Sequence, residues 1–172
     1  MILTGRKIAI LAERNYNTLE LWYPLYRMKE EGATVKVVGS GGATQYESKV
    51  GLPVKVDVQA EDVSGKDFDA VIIPGGYAPD YMRRHEAMLK LVREIDEKDG
   101  VIAMICHAAW VAISAGVIKG KMATCVSSIK DDLENAGGIY VDREVVKDEN
   151  IISSRGPNDL PAFCRTIIEE LS

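Results

Sequence analysis

Apolar residues in this chain fall in short runs, separated by longer stretches in which they recur every three or four positions. The runs lie at 7–12 (KIAILA), 69–73 (DAVII) and 101–105 (VIAMI), with a fourth, interrupted by Lys36, at 34–38 (TVKVV). Runs of this length with no polar alternation predict strands buried on both faces, the signature of a parallel sheet. Helical spacing predicts a helix over 18–31, with Leu19, Trp22, Tyr23 and Tyr26 on one stripe and Gly32 as its stop. Pro24 predicts a late start or a kink there. A second helix is predicted over 80–97, carrying the stripe Met88, Leu91, Val92 and Ile95, and a closing helix over 158–171. Weaker signals predict an antiparallel pair at 44–47 and 54–58, a strand at 121–124, a helix at 129–135 and a hairpin from 144–147 and 150–153. The alternation of strand and helix implies an α/β domain with helices on both faces of a mainly parallel sheet. Ligands of such folds bind beyond the carboxyl ends of the strands.

Composition narrows the class without changing this architecture. The 172 residues predict one domain spanning 1–172, with 47% apolar and 27% charged residues. A net charge of −5 provides no basic stripe to neutralise phosphates, so nucleic acid is not an expected partner. No run reaches the roughly 20 apolar residues of a membrane span. The first residues lead straight into a strand without the apolar core of a signal peptide, so a cytoplasmic location is expected. Cys106, Cys125 and Cys164 are spaced too irregularly for a disulfide framework or a zinc site, so free thiols and no metal or organic cofactor are expected.

The candidate chemistry centres on Cys106. It ends the run Val101-Ile-Ala-Met-Ile105 and precedes a predicted helix, so it sits on a strand-to-helix bend. Amide groups at the start of a helix favour a thiolate, which is the nucleophilic form. The plainer alternative is a small buried cysteine that fills space. Pro74-Gly75-Gly76 closes the preceding strand, and the Gly76 amide, with that of His107 or Ala108, would form an oxyanion site; otherwise it is a simple turn. Glu20 lies in the apolar segment Leu19–Pro24, either buried beside the thiol with a raised pKa or as a first-turn acid facing water; Glu13 is its rival. His107 would act as a base, oriented by a carboxylate for which Asp80 is the nearest candidate. Asp80 alternatively caps the following helix. His85, beside two arginines, reads as a solvated surface residue. Cys164 reads as structural, while Cys125 ends a short strand that would reach the same rim.

Taken in order, Glu20-Leu-Trp-Tyr-Pro24, Asp69-Ala-Val-Ile-Ile-Pro-Gly-Gly76, Ile105-Cys-His107, Ile129-Lys-Asp-Asp132 and Ser153-Ser-Arg-Gly-Pro157 resemble the ThiJ/PfpI superfamily, most closely its PfpI branch. The resemblance implies a three-layer flavodoxin-like sandwich related to class I glutamine amidotransferases. It also implies a nucleophile elbow at Cys106, Glu20 hydrogen-bonded to that cysteine, and an oxyanion site from the Gly76 and His107 amides. In the PfpI branch an acid from a neighbouring subunit completes a Cys–His–acid triad; Asp80 holds the matching position, so a homo-oligomer is expected. Ala108-Ala109 replaces the Gly-Pro usual after Cys-His. Three functions follow as expectations. The first is a deglycase or glutathione-independent glyoxalase acting on small carbonyls or glycated substrates. The second is an intracellular peptidase taking short peptides through Cys106, His107 and Asp80. The third is a redox-sensing stress protein or chaperone.

Overall fold

The four apolar runs become four adjacent strands at the centre of one seven-stranded sheet, in a computed structural model that describes residues 1–172. They are β1 (Lys7–Ala12), β2 (Thr34–Gly39), β6 (Ala70–Ile73) and β7 (Val101–Ile105). The sheet runs β10-β11-β7-β6-β1-β2-β5, completed by β5 (Val58–Gln59), β10 (Val146–Asp148) and β11 (Ile151–Ser154). Every pairing is parallel except the β10–β11 hairpin. β3 (Gln45–Glu47) pairs antiparallel with β4 (Pro53–Lys55), and β8 (Met122–Ala123) parallel with β9 (Ile139–Tyr140), outside the main sheet. The predicted strand 54–58 is therefore two strands. Its first part stays with β3, and its end turns to extend the main sheet beside β2.

Six helices cover the sheet: α1 (Thr18–Glu30), α2 (Ala78–Met82), α3 (Glu86–Asp96), α4 (Ala109–Ala115), α5 (Lys130–Asn135) and α6 (Leu160–Leu171). α1 packs beside α6, and α3 beside α4, giving the α/β sandwich that the alternation predicts. The core is one continuous apolar cluster through which β1 passes with Ile8 to Ala12 wholly buried.

Three details of the helices differ from expectation, and each places the candidate chemistry. α1 starts at Thr18 and runs through Pro24. The Asn17 side chain accepts from the amides of Leu19 (3.1 Å) and Glu20 (3.4 Å), which fixes the start. Pro24 removes only the bond its own N–H would have donated to the Glu20 carbonyl. The buried face of α1 is Glu20, Leu21, Pro24, Leu25 and Met28, so the expected stripe Leu19, Tyr23 and Tyr26 faces outward. The predicted helix over 80–97 is two helices, broken at Arg83-Arg84-His85. His85 is extended (φ −107°, ψ 109°), and its carbonyl accepts from Met88 and Leu89 to start α3. Asp80 consequently lies inside α2, whose N-cap position is Tyr77.

Ile10 pairs with Val37 on one side and Ile72 on the other, and is fully buried. Ile10→Ala should lower stability by about 2–5 kcal/mol, seen as a lower urea midpoint with an unchanged slope. A midpoint within error of the parent would contradict the placement of the core.

Candidate active site

Cys106 is the sharpest point of the fold. The chain leaves β7 at Ile105 in an extended conformation (φ −134°) and Cys106 turns to φ 62°. That left-handed conformation is rare outside glycine and costs of order 1–3 kcal/mol. A single 3-10 turn (Cys106–Ala108) then leads into α4. The bend lifts the sulfur out of the strand at its carboxyl end, leaving Cys106 partly exposed while Cys125 and Cys164 are buried.

Glu20 lies beneath the thiol and is fully buried. Its Oε2 accepts from the Gly75 amide at 2.7 Å, and its Oε1 has no hydrogen-bond partner. Gly75 is the spacer that allows this: a Cβ there would stand 2.5 Å from Glu20 Oε2 and 2.7 Å from Cys106 Cβ. Gly76 follows at φ 76°, where a Cβ would strike the backbone of Asn15 and Asn17 at 2.5 Å. The chain from Asn15 to Asn17 braces this turn. The Asn17 amide donates to the Gly75 carbonyl (3.1 Å), and the Tyr77 amide donates to the Asn15 carbonyl (2.9 Å). The same asparagine caps α1 and so sets the position of Glu20.

The two acids are coupled. Burial pushes the Glu20 carboxyl up to about 7; the Gly75 amide, the Cys106 thiol and the charge of Lys49 act against the shift. Burial and then the negative charge of Glu20 push the Cys106 thiol up to about 12, against the pull of the Gly76 and His107 amides. Burial thus disfavours the charged form of each group, and an ionised Glu20 adds to the cost of a thiolate beside it. The amides expected as oxyanion donors, those of Gly76 and His107, do act on the sulfur.

His107 sits with Nδ1 3.3 Å from the Cys106 sulfur and Nε2 3.4 Å from Ser128 Oγ. Its pKa is lowered, by burial first and by Lys49 second, so the ring is neutral at pH 7. Asp80 does not join it within the chain: the carboxylate pairs with Arg84 one turn along. Glu13 is also absent from the thiol. It is buried elsewhere, against Ser40 and His85. Cys125 ends up under the rim: the next amide, of Val126, donates to the Cys106 carbonyl at 3.3 Å, but the thiol itself is buried. Four neighbours had no signal strong enough to find in sequence. Lys49 stands over the Tyr77 ring at 4.8 Å, the His107 ring lies 5.0 Å from Trp110, and Ser128 faces the imidazole. Lys49, Tyr77 and Ser128 lie on loops or first turns distant in sequence from Cys106, whereas Trp110 is on the first turn of α4, three residues after His107. No group of three or more His, Cys, Asp or Glu side chains converges as a metal site. No helix is long and apolar enough to cross a membrane.

The chain is similar to known proteins over nearly its whole length. The sequence profile of the DJ-1/PfpI family matches residues 6–170. Deglycase TK1284 of Thermococcus kodakarensis is 41% identical over 165 residues, 96% of this chain and 99% of the relative. YraA of Bacillus subtilis, whose name assigns it provisionally to the cysteine proteases, is 37% identical over 94% of this chain and 95% of its own. A crystal structure from Anabaena variabilis superposes with a TM-score of 0.95 at 38% identity, over 97% of this chain. The match spans 48% of that protein, which contains a DJ-1/ThiJ/PfpI-like and a ferritin-like domain.

Because the charge of Glu20 raises the thiol, Glu20→Gln should lower the Cys106 pKa and move its alkylation profile to lower pH. Iodoacetamide should react about tenfold faster at pH 8 in that variant. A slower or unchanged rate would show that the two groups do not share a proton.

Proposed function

Because the chain belongs to the DJ-1/PfpI family, we propose that it is a cysteine-dependent enzyme acting on reactive carbonyls or glycation adducts, with Cys106 as nucleophile. The observation that carries this is a partly exposed thiol on a strained elbow whose proton has a buried acceptor, Glu20, directly beneath it. Addition of a thiol to an aldehyde needs one proton moved from sulfur to oxygen, and a carboxyl titrating near 7 is suited to holding it.

With methylglyoxal, the sulfur attacks the aldehyde carbon, the S–C bond forms, and the thiol proton passes to Glu20. The carbonyl electron pair moves to oxygen, which faces the Gly76 and His107 amides before it is protonated. The result is a thiohemiacetal. Removal of its C–H proton and protonation of the neighbouring ketone oxygen give an enediol, which collapses to a thioester. Water cleaves the thioester, releasing lactate and restoring the thiol. Glu20 and neutral His107, 3.3 Å from the sulfur, carry the protons. With the early adduct of a glycated amine, sulfur bonds to the same carbon as its C–N bond breaks, and the thiol proton, taken up by Glu20, passes to the departing amine, giving the same thiohemiacetal.

The name of YraA keeps a peptidase in view. That activity needs an acyl-enzyme and an oriented His107, which the chain alone does not supply, since Asp80 is held by Arg84. Asp80 of a second copy would have to fill that role. The outward stripe of Leu19, Tyr23 and Tyr26 on α1 supports association of copies.

Purified protein should consume methylglyoxal, or release amine from a glycated amino acid. Cys106→Ser should abolish this, and Glu20→Gln should reduce kcat by about a hundredfold although its thiol ionises more readily. Undiminished turnover in both variants would exclude the mechanism. A fluorogenic peptide assayed beside them separates the alternative, since peptide cleavage should be lost in His107→Ala and on dilution of the assembly.

A further inference from the structure

Glu13 and His85, both outside the thiol site, meet at a second cavity. It holds about 500 Å³ and opens where the chain leaves β1 and β2. Its floor is a chain of buried polar groups. Ser40 Oγ donates to Glu13 Oε2 at 2.5 Å and lies 2.7 Å from Tyr46 Oη. Glu13 is 6% exposed, Tyr46 7% and Ser40 9%. The other Glu13 oxygen accepts from the amide of Arg14 at 2.7 Å. The nearest side-chain nitrogen is His85 Nε2, at 3.7 Å from Glu13 Oε2. A buried carboxylate thus stands on hydroxyls, one amide and an imidazole, without a lysine or arginine partner.

Arg14 is the next residue, and its guanidinium does not turn back to Glu13. It stacks on the Tyr81 ring at 4.1 Å and forms no salt bridge. Arg84 shares that ring at 5.1 Å, but it is paired with Asp80. The backbone keeps Glu13 and Arg14 apart. Asn15 is left-handed (φ 60°), its amide donates to the Glu47 carbonyl at 2.8 Å, and its carbonyl accepts from Tyr77 at 2.9 Å. An acid on the floor and a base on the rim, adjacent in sequence yet unpaired, therefore face one cavity. A plain anion would meet Glu13, and a plain cation would meet Arg14. A molecule carrying both charges a few bonds apart satisfies both.

We propose that this cavity binds a small free α-amino acid as its zwitterion, the ammonium on the Glu13 carboxylate and the carboxylate on the Arg14 guanidinium. The site is separate from the thiol and does not rest on the proposed reaction. It is tested in full-length Cys106→Ser protein, so loss of the enzymatic activity leaves the outcome unaffected. Isothermal titration with L-leucine is compared with 3-methylbutylamine, which lacks the carboxylate, and 4-methylpentanoate, which lacks the ammonium. Leucine should bind about tenfold or more tightly than either analogue. Arg14→Gln should bring leucine down to the level of the amine, and Glu13→Gln down to that of the acid. Arg14 is exposed, so its substitution leaves the fold intact even if Glu13→Gln does not. The proposal is overturned if leucine gives no binding at millimolar concentration, binds no better than both analogues, or binds equally well in Arg14→Gln.

Discussion

The site depends on a single close approach: Gly75 packs against both a buried carboxyl and the Cys106 side chain, so that a Cβ there would stand 2.5 Å from Glu20 Oε2 and 2.7 Å from Cys106 Cβ. Its amide holds one Glu20 oxygen at 2.7 Å, leaving the other without a partner. Two acids confined in this way cannot both ionise cheaply, because each charge raises the cost of the other in surroundings that water does not screen. Burial lifts both, but it lifts the carboxyl into the range of neutral pH and the thiol far above it. At neutral pH the proton therefore rests on sulfur, and in the proposed reaction Glu20 is the nearest group that can accept it as the sulfur attacks.

Keeping that arrangement costs free energy. Cys106 holds a left-handed backbone, and Glu20 is removed from water with one oxygen unsatisfied. The compensation lies in the parallel strands directly below. β6 and β7, whose ends carry Gly75 and Cys106, are buried throughout and pair residue for residue. Asn17 ties in the third part, since its side chain caps α1 while its amide holds Gly75. The strain at the rim is thus borne by a rigid sheet and a capped helix, not by a loop.

Much of this was legible in the sequence because it follows from patterns with a fixed period. The apolar runs gave the central strands, and the break from apolar strand to Cys-His gave the elbow. Glu20 stood out as one charge in an apolar segment, but whether it was buried or faced water was open until the orientation of α1 placed it under the sheet's rim. The orientation of α1 was not legible, because both of its stripes are apolar and the choice is made by what Glu20, Leu21 and Leu25 meet on the sheet. The break at His85 was hidden by an amphipathic stripe that continues across it. Lys49 and Ser128 reach the mouth through tertiary packing alone, which leaves no local mark.

The electrostatics around His107 bear on which chemistry the single chain can complete. The imidazole is half-buried and lies within reach of the charge of Lys49, and both lower its pKa. A classical triad needs the opposite, an acid that stabilises the imidazolium formed when the base takes a proton. Here the only carboxylate in contact with the thiol is Glu20, and it acts on sulfur directly. Addition to a carbonyl asks for one proton acceptor beside sulfur and amide donors beside oxygen, and the chain provides both. Amide cleavage by a triad also asks for a carboxylate that orients the ring, and the contact of the far ring nitrogen here is Ser128 Oγ at 3.4 Å. The difference between the two activities therefore lies in one acid next to one ring nitrogen, and in this chain that acid would have to come from outside it.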